Sequence, residues 1–186
     1  MSDFLFPDNT VLCNFASVER LDLLESALDG CGRWTEAVAD EAQQSAKHLP
    51  ALATLPQAGW LGEPIEITED ADVRKIQQIR RVVFGGTDDR PTQHLGEVET
   101  CHVIQTWPEF AGSCWVSDDQ QSLRWAQGHG IPTRETLDLM RLLVSAGDIT
   151  AEEGFDLMQQ MKTLGRHPRQ PATAADLEYG WQPTSA

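Results

Sequence analysis

The residues in this chain best suited to chemistry are acids: Asp8, Glu41, Glu97 and the pair Asp118-Asp119. Each stands where an apolar stretch gives way to a new helix. Asp8 closes the run Phe4-Leu5-Phe6, Glu41 follows Ala39-Asp40, Glu97 follows Gly96, and Asp118-Asp119 follows Cys114-Trp115-Val116-Ser117. In open α/β folds the C-terminal ends of parallel strands form one rim, and that rim usually holds the chemistry. Carboxylates gathered there repel one another unless a hard cation such as Mg²⁺ or Mn²⁺ neutralises them. Any one of these acids alone is better explained as a helix cap or a partner of the helix dipole. Their recurrence at one topological level is what points to a metal centre.

Spacing sorts the neighbours. Glu97 and Glu99 are two apart on a helix and point in different directions, so only one can face the site directly. Glu97, next to Gly96, is assigned there, and Glu99 is left a supporting or solvent-facing role. Asp40 is read as a helix cap, which turns Glu41 inward. Asp118 and Asp119 are not distinguished, and both stay candidates. Arg124, about one turn past Asp119, is a candidate phosphate contact, with a structural salt bridge an equal alternative. The concentrated basic stretch, Arg74-Lys75 with Arg80-Arg81, reads as a solvated helix face. His48, His94, His102, His129 and His167 show no ligand spacing and receive no catalytic role.

The positioning elements follow from periodicity. Strands are predicted at 4–6, 34–38, 65–67, 114–116 and near Ile131, with helices at 17–29, 39–49, 70–84, 93–106, 118–127 and 134–146. Residues 11–15 are expected to form a helix's first turns, and Pro56 to Pro64 a loop. A last helix starts at Thr150, where Thr150 and Glu153 have capping-box spacing, and Gly165 stands at its C-terminal end. Strands alternating with helices predict a three-layer α/β/α domain with a central parallel sheet over 1–165. The Pro-, Ala-, Thr- and Gln-rich stretch 166–186 is predicted to be a weakly structured tail.

A length of 186 residues suits one domain with a proper core. The net charge of −15 argues against broad, non-specific nucleic-acid binding, which depends on Lys and Arg. It does not exclude a local site, because a bound divalent ion reverses the local sign. Cys13, Cys31, Cys101 and Cys114 lack C-x-x-C pairing and read as free thiols, mostly buried. Trp34, Trp115 and Trp125 are assigned to the core, and Trp60, Trp107 and Trp181 to loops or the tail. No apolar run reaches membrane-spanning length, and Met1-Ser2-Asp3 lacks a secretory start, so a cytoplasmic protein is expected.

These residues carry a resemblance. Asp8-Asn9-Thr10 resembles the opening Asp-Thr-Asn signature of PIN-domain ribonucleases, with its last two residues exchanged. Ala39-Asp40-Glu41 resembles the second family acid, Leu95-Gly96-Glu97-Val98-Glu99 the Leu-Gly-Glu-x-Glu block, and Val116-Ser117-Asp118-Asp119 with Arg124 and Ala126 the Thr-Asp-Asp block. The end of the domain, through Leu143-Val144-Ser145-Ala146-Gly147 and Ile149, is similar to a PIN subgroup allied to toxin–antitoxin toxins. The resemblance implies a PIN-like fold and an endoribonuclease that cleaves RNA with Mg²⁺ or Mn²⁺. Asp8, Glu41, Glu97 and Asp118 or Asp119 would hold the metal, and Asn9 or Thr10 would orient a carboxylate or a water. If the protein is a toxin, an antitoxin protein is the expected partner; a homodimer through the terminal helices goes with the binding-module alternative. The alternatives are a catalytically degenerate binding module and a haloacid-dehalogenase-type phosphatase, whose second acid would fall at Thr10.

Overall fold

Three short parallel strands form the centre of the molecule: β1 (Leu5–Pro7), β2 (Cys114–Val116) and β3 (Thr133–Arg134), in the order β1-β2-β3. The computed structural model describes residues 4–87 and 89–179. Leu5 pairs with Cys114, Phe6 with Trp115, Pro7 with Val116, and Trp115 in turn with Thr133. Every residue of β1 and β2 is buried, as expected for parallel strands covered on both faces.

Alternation along these strands builds the layers. Leu5, Cys114 and Val116 join the larger core cluster, whereas Phe6 and Trp115 join a second one. The first side is covered by α1 (Asn9–Ser17), α2 (Leu21–Leu28), α3 (Glu36–Ser45), α8 (Thr136–Ala146) and α9 (Ala151–Thr163). The second is covered by α6 (Leu95–Thr106) and α7 (Gln120–Gly128), with α5 (Asp70–Val82) packed on α6. A short α4 (Leu55–Ala58) follows a 3-10 turn at Pro50–Thr54, where the expected loop begins. The result is the predicted three-layer α/β/α arrangement. Among the described residues, no helix is long and apolar enough to cross a membrane.

Several predicted elements are corrected. The stretch 34–38 is not a strand: Thr35 makes one parallel bridge to Ile65, and α3 already starts at Glu36. Its first amides find acceptors elsewhere in the fold, Glu36 N on Ile65 O at 3.0 Å and Ala37 N on Glu99 Oε2 at 3.3 Å. The 65–67 strand shrinks to that single bridge. β3 begins beyond Ile131, which is a core residue, and Pro132 contributes its carbonyl, accepting from Trp115 N at 2.9 Å. The helix predicted over 17–29 breaks at its start, because Glu19 takes φ 56° and α2 begins only at Leu21.

The stretch after α9 is tied to the domain as far as it is described. Arg166 and Arg169 bond back to Asn14 and Glu135, and a 3-10 turn at Ala174–Leu177 buries Leu177 completely in the main core. Pro168 and Pro171 are buried as well, and Ala174 packs against the same core, so a few scattered side chains anchor the segment. Trp181 lies outside the described residues.

Candidate active site

Asp8 follows β1 directly and caps α1. It is 3 % exposed, and its backbone amide donates to Val116 O at 2.8 Å, which ties it to the end of β2. Its Oδ2 accepts from the Thr10 hydroxyl at 2.8 Å and the Ser117 hydroxyl at 3.4 Å. Burial still pushes its pKa up, against those hydrogen bonds. Thr10 thus orients a carboxylate. Asn9 instead reaches α3, where its Nδ2 donates to Ser45 Oγ at 3.2 Å.

Glu41 and Glu97 meet Asp8 from two further helices. Burial, and then the Asp8 and Glu97 charges, push Glu41 up to about 8. Burial and the Asp8 charge push Glu97 up to about 7, with His94 opposing and Asp119 adding to the rise. These three acids therefore share one electrostatic environment, although they are far apart in sequence. Asp40 is not a cap; it lies exposed inside α3, whose N-cap is Thr35. Glu99 points the other way from Glu97 and accepts from Ala37 N, clamping α3 to α6.

Gly96 sets the spacing of the two helices. A Cβ there would lie 2.9 Å from Val38 Cγ2 and 3.2 Å from Glu41 Oε1. In α6's first turn, the helix-propensity gain of alanine is too small to offset that overlap. Gly96→Ala is expected to destabilise the protein by about 1–2 kcal/mol, read as a lower urea midpoint at unchanged m-value. An unchanged or higher midpoint would show that the helices yield freely.

Asp118 and Asp119 part company in the folded chain. Asp119 caps α7, its Oδ1 accepting from Ser122 N at 2.7 Å. Asp118 is engaged through both oxygens, by Thr136 N at 3.0 Å, Asn14 Nδ2 at 2.7 Å and the Thr136 hydroxyl. Burial raises Asp118 to about 6 despite those donors. Ser122 also donates its hydroxyl to Glu97 Oε2 at 3.1 Å, so that face of α7 looks at the carboxylates. Arg124, two residues on and about 200° round the helix, is exposed on the other side. The structure does not bring it to the acids.

Other residues enter the site without having been singled out. His94 Nδ1 stands 3.1 Å from Glu97 Oε2, with its ring tilted against Phe84. Asn14, 2 % exposed in the otherwise apolar Val11-Leu12-Cys13-Asn14-Phe15 run, bridges α1 to Asp118. Thr10 and Asn14 are four apart and share a face of α1, a spacing that could have revealed both. Of the predicted solvated basic face, Arg80 is the exception: it is buried, donating to Thr87 O and Arg90 O.

A family model described as a PIN domain matches residues 6–175. The chain belongs to the PIN-domain family. PIN domains are generally nucleases and typically use divalent metals, and this one has the nuclease-type fold. No curated protein and no solved structure gave a significant match. Among the described residues, no three His, Cys, Asp or Glu side chains are drawn together closely enough to hold one ion as they stand. By donor chemistry the set suits a hard cation: all its members are carboxylates, and burial keeps the nearby Cys13 and Cys101 thiols protonated. By charge it suits one too, since each of Asp8, Glu41 and Glu97 is held above its ordinary pKa.

Proposed function

We propose that this PIN domain is a Mg²⁺- or Mn²⁺-dependent endoribonuclease. The observation that carries the reading is that burial, and then the Asp8 charge, raise half-buried Glu41 and Glu97 beside the buried Asp8, a strain that a divalent cation relieves. In this reading Asp8, Glu41, Glu97 and Asp119 hold the metal. Asp118 is a positioning residue, because its oxygens are already taken by Asn14 and Thr136. When bound, divalent ions supply activation of water for in-line attack on a phosphodiester and stabilise the leaving oxygen.

The chain's own groups prepare that chemistry. Thr10 and Ser117 hold the Asp8 carboxylate in one orientation. Ser122 and His94 do the same for Glu97. At neutral pH a proton still competes for Glu41, so cleavage rises from pH 6 to pH 8. The finer form of the reading is a cytoplasmic toxin of a toxin–antitoxin pair, with an antitoxin covering the carboxylate rim. The phosphatase alternative is disfavoured because Thr10, where its second acid would stand, spends its hydroxyl on Asp8.

The test is cleavage of end-labelled single-stranded RNA with Mn²⁺, Mg²⁺ or EDTA. Internal products are expected with either metal and none with EDTA. Asp119→Asn is expected to reduce cleavage by roughly 10²-fold or more, and Asp118→Asn by no more than about tenfold. No cleavage with either metal between pH 6 and 9, with no thermal stabilisation by Mn²⁺, favours the non-catalytic binding module. Turnover of an aryl phosphate instead of RNA favours the phosphatase.

A further inference from the structure

After α9 the chain turns back across the carboxylate rim. Gly165 takes φ +79°, a left-handed conformation that costs glycine little, and Arg166 N donates to Met161 O at 2.9 Å. That turn brings Arg166 and His167 to one wall of a cavity of ≈ 290 Å³, whose other walls are Thr10, Asn14, Asp118 and Asp119. The cavity opens beside the acids yet carries a guanidinium. Arg166 Nε donates to Asn14 Oδ1 at 3.2 Å, and Asn14 Nδ2 donates to Asp118 Oδ2 at 2.7 Å, so one buried amide holds both charges in register.

Arg166 Nη1 and Nη2 make no hydrogen bond among the described residues. A planar guanidinium held by one nitrogen keeps a two-donor edge that matches a phosphate. Other arginines are committed: Arg20 to Asp22, Arg141 to Asp138, Arg169 to Glu135, and Arg80 to buried carbonyls. A protein of net charge −15 needs a local cation where a polyanion must approach its acids. The cavity lies at the small end of ligand sites, which run from about 300 Å³ upward. It suits one nucleotide of an unpaired strand better than a duplex.

We propose that this cavity is the subsite for the nucleotide flanking the scissile bond of a single-stranded RNA, with Arg166 gripping its phosphate. The proposal rests on the ribonuclease reading above, and its test separates the two. Fluorescent single-stranded RNA is titrated at several salt concentrations into the Asp8→Asn protein, which leaves the RNA intact. The Arg166→Gln and Arg166→Lys changes are then added in that background. Arg166→Gln weakens binding by roughly tenfold and lowers the salt slope by about 0.7, the contribution of one phosphate on a single strand. Arg166→Lys keeps the charge but loses the fork, so it retains the slope and binds about threefold more weakly. Thermal melts establish that each variant is folded.

Equal affinity and slope for the glutamine variant and its parent overturn the subsite, as does absence of RNA binding by the Asp8→Asn protein. Wild-type cleavage combined with Arg166-independent binding overturns the subsite alone. Arg166-dependent binding without wild-type cleavage overturns the ribonuclease reading and leaves the cavity a nucleotide-binding site with no scissile bond beside it.

Discussion

Asp8→Asn is expected to leave the protein folded and to lower RNA cleavage by roughly 10³-fold or more. Asparagine is as good an N-cap as aspartate, so the start of α1 and the contact with Thr10 survive. What disappears is a charge that is 3 % exposed and stands at the meeting point of two other acids. Its removal lets Glu41 and Glu97 ionise more easily, since Asp8 is the largest charge raising either of them. Thermal stability should therefore hold or rise while cleavage and stabilisation by Mn²⁺ are lost. A variant that stays within tenfold of wild-type activity would falsify the metal-centre assignment.

Glu41→Gln should weaken the protein's loss of stability at alkaline pH. A carboxyl raised from 4.5 to about 8 binds more protons in the folded state than in the unfolded one. Its stability contribution is full below about pH 4.5 and is lost as pH climbs to about 8. Glutamine removes that loss. Without metal, the variant should melt near wild type at pH 5 but higher at pH 8.5, by on the order of a few kcal/mol. For a chain of this size that is roughly 5–10 °C.

Mn²⁺ at about a hundred times its Kd should stabilise wild type by about 2.7 kcal/mol at pH 8. The effect should fade toward pH 5, where protons hold the carboxylates, and should be largely absent from Glu41→Gln. Parallel melting curves for the two proteins across this range would mean that Glu41 is not buried against its fellow acids.

The alternation of apolar strands and amphipathic helices was legible because parallel strands buried on both faces read as continuous apolar runs. Leu5-Phe6 and Cys114-Trp115-Val116 are such runs, and their core placement follows from residue type alone. The capping box at Thr150 and Glu153 was legible for a similar reason, since both of its hydrogen bonds are local. The start of α3 was not, because its first amides are satisfied by Ile65 and Glu99, far away in sequence. Arg124 looked like the phosphate contact through nearness to Asp119, but helical geometry turns it away from Ser122 and the acids.

By itself, the order of amino acids determined that acids follow apolar stretches at regular places and that this pattern resembles a PIN domain. It also determined that Gly96 sits beside one of those acids. Only the tertiary structure decided that Asp118 is tied to Asn14 and Thr136 while Asp119 caps α7, and that Arg166 returns to the rim from beyond the last long helix. The physical reason is range. Caps, periodicity and turns act over a few residues, whereas hydrogen bonds spanning 104 and 152 positions depend on how the whole chain packs.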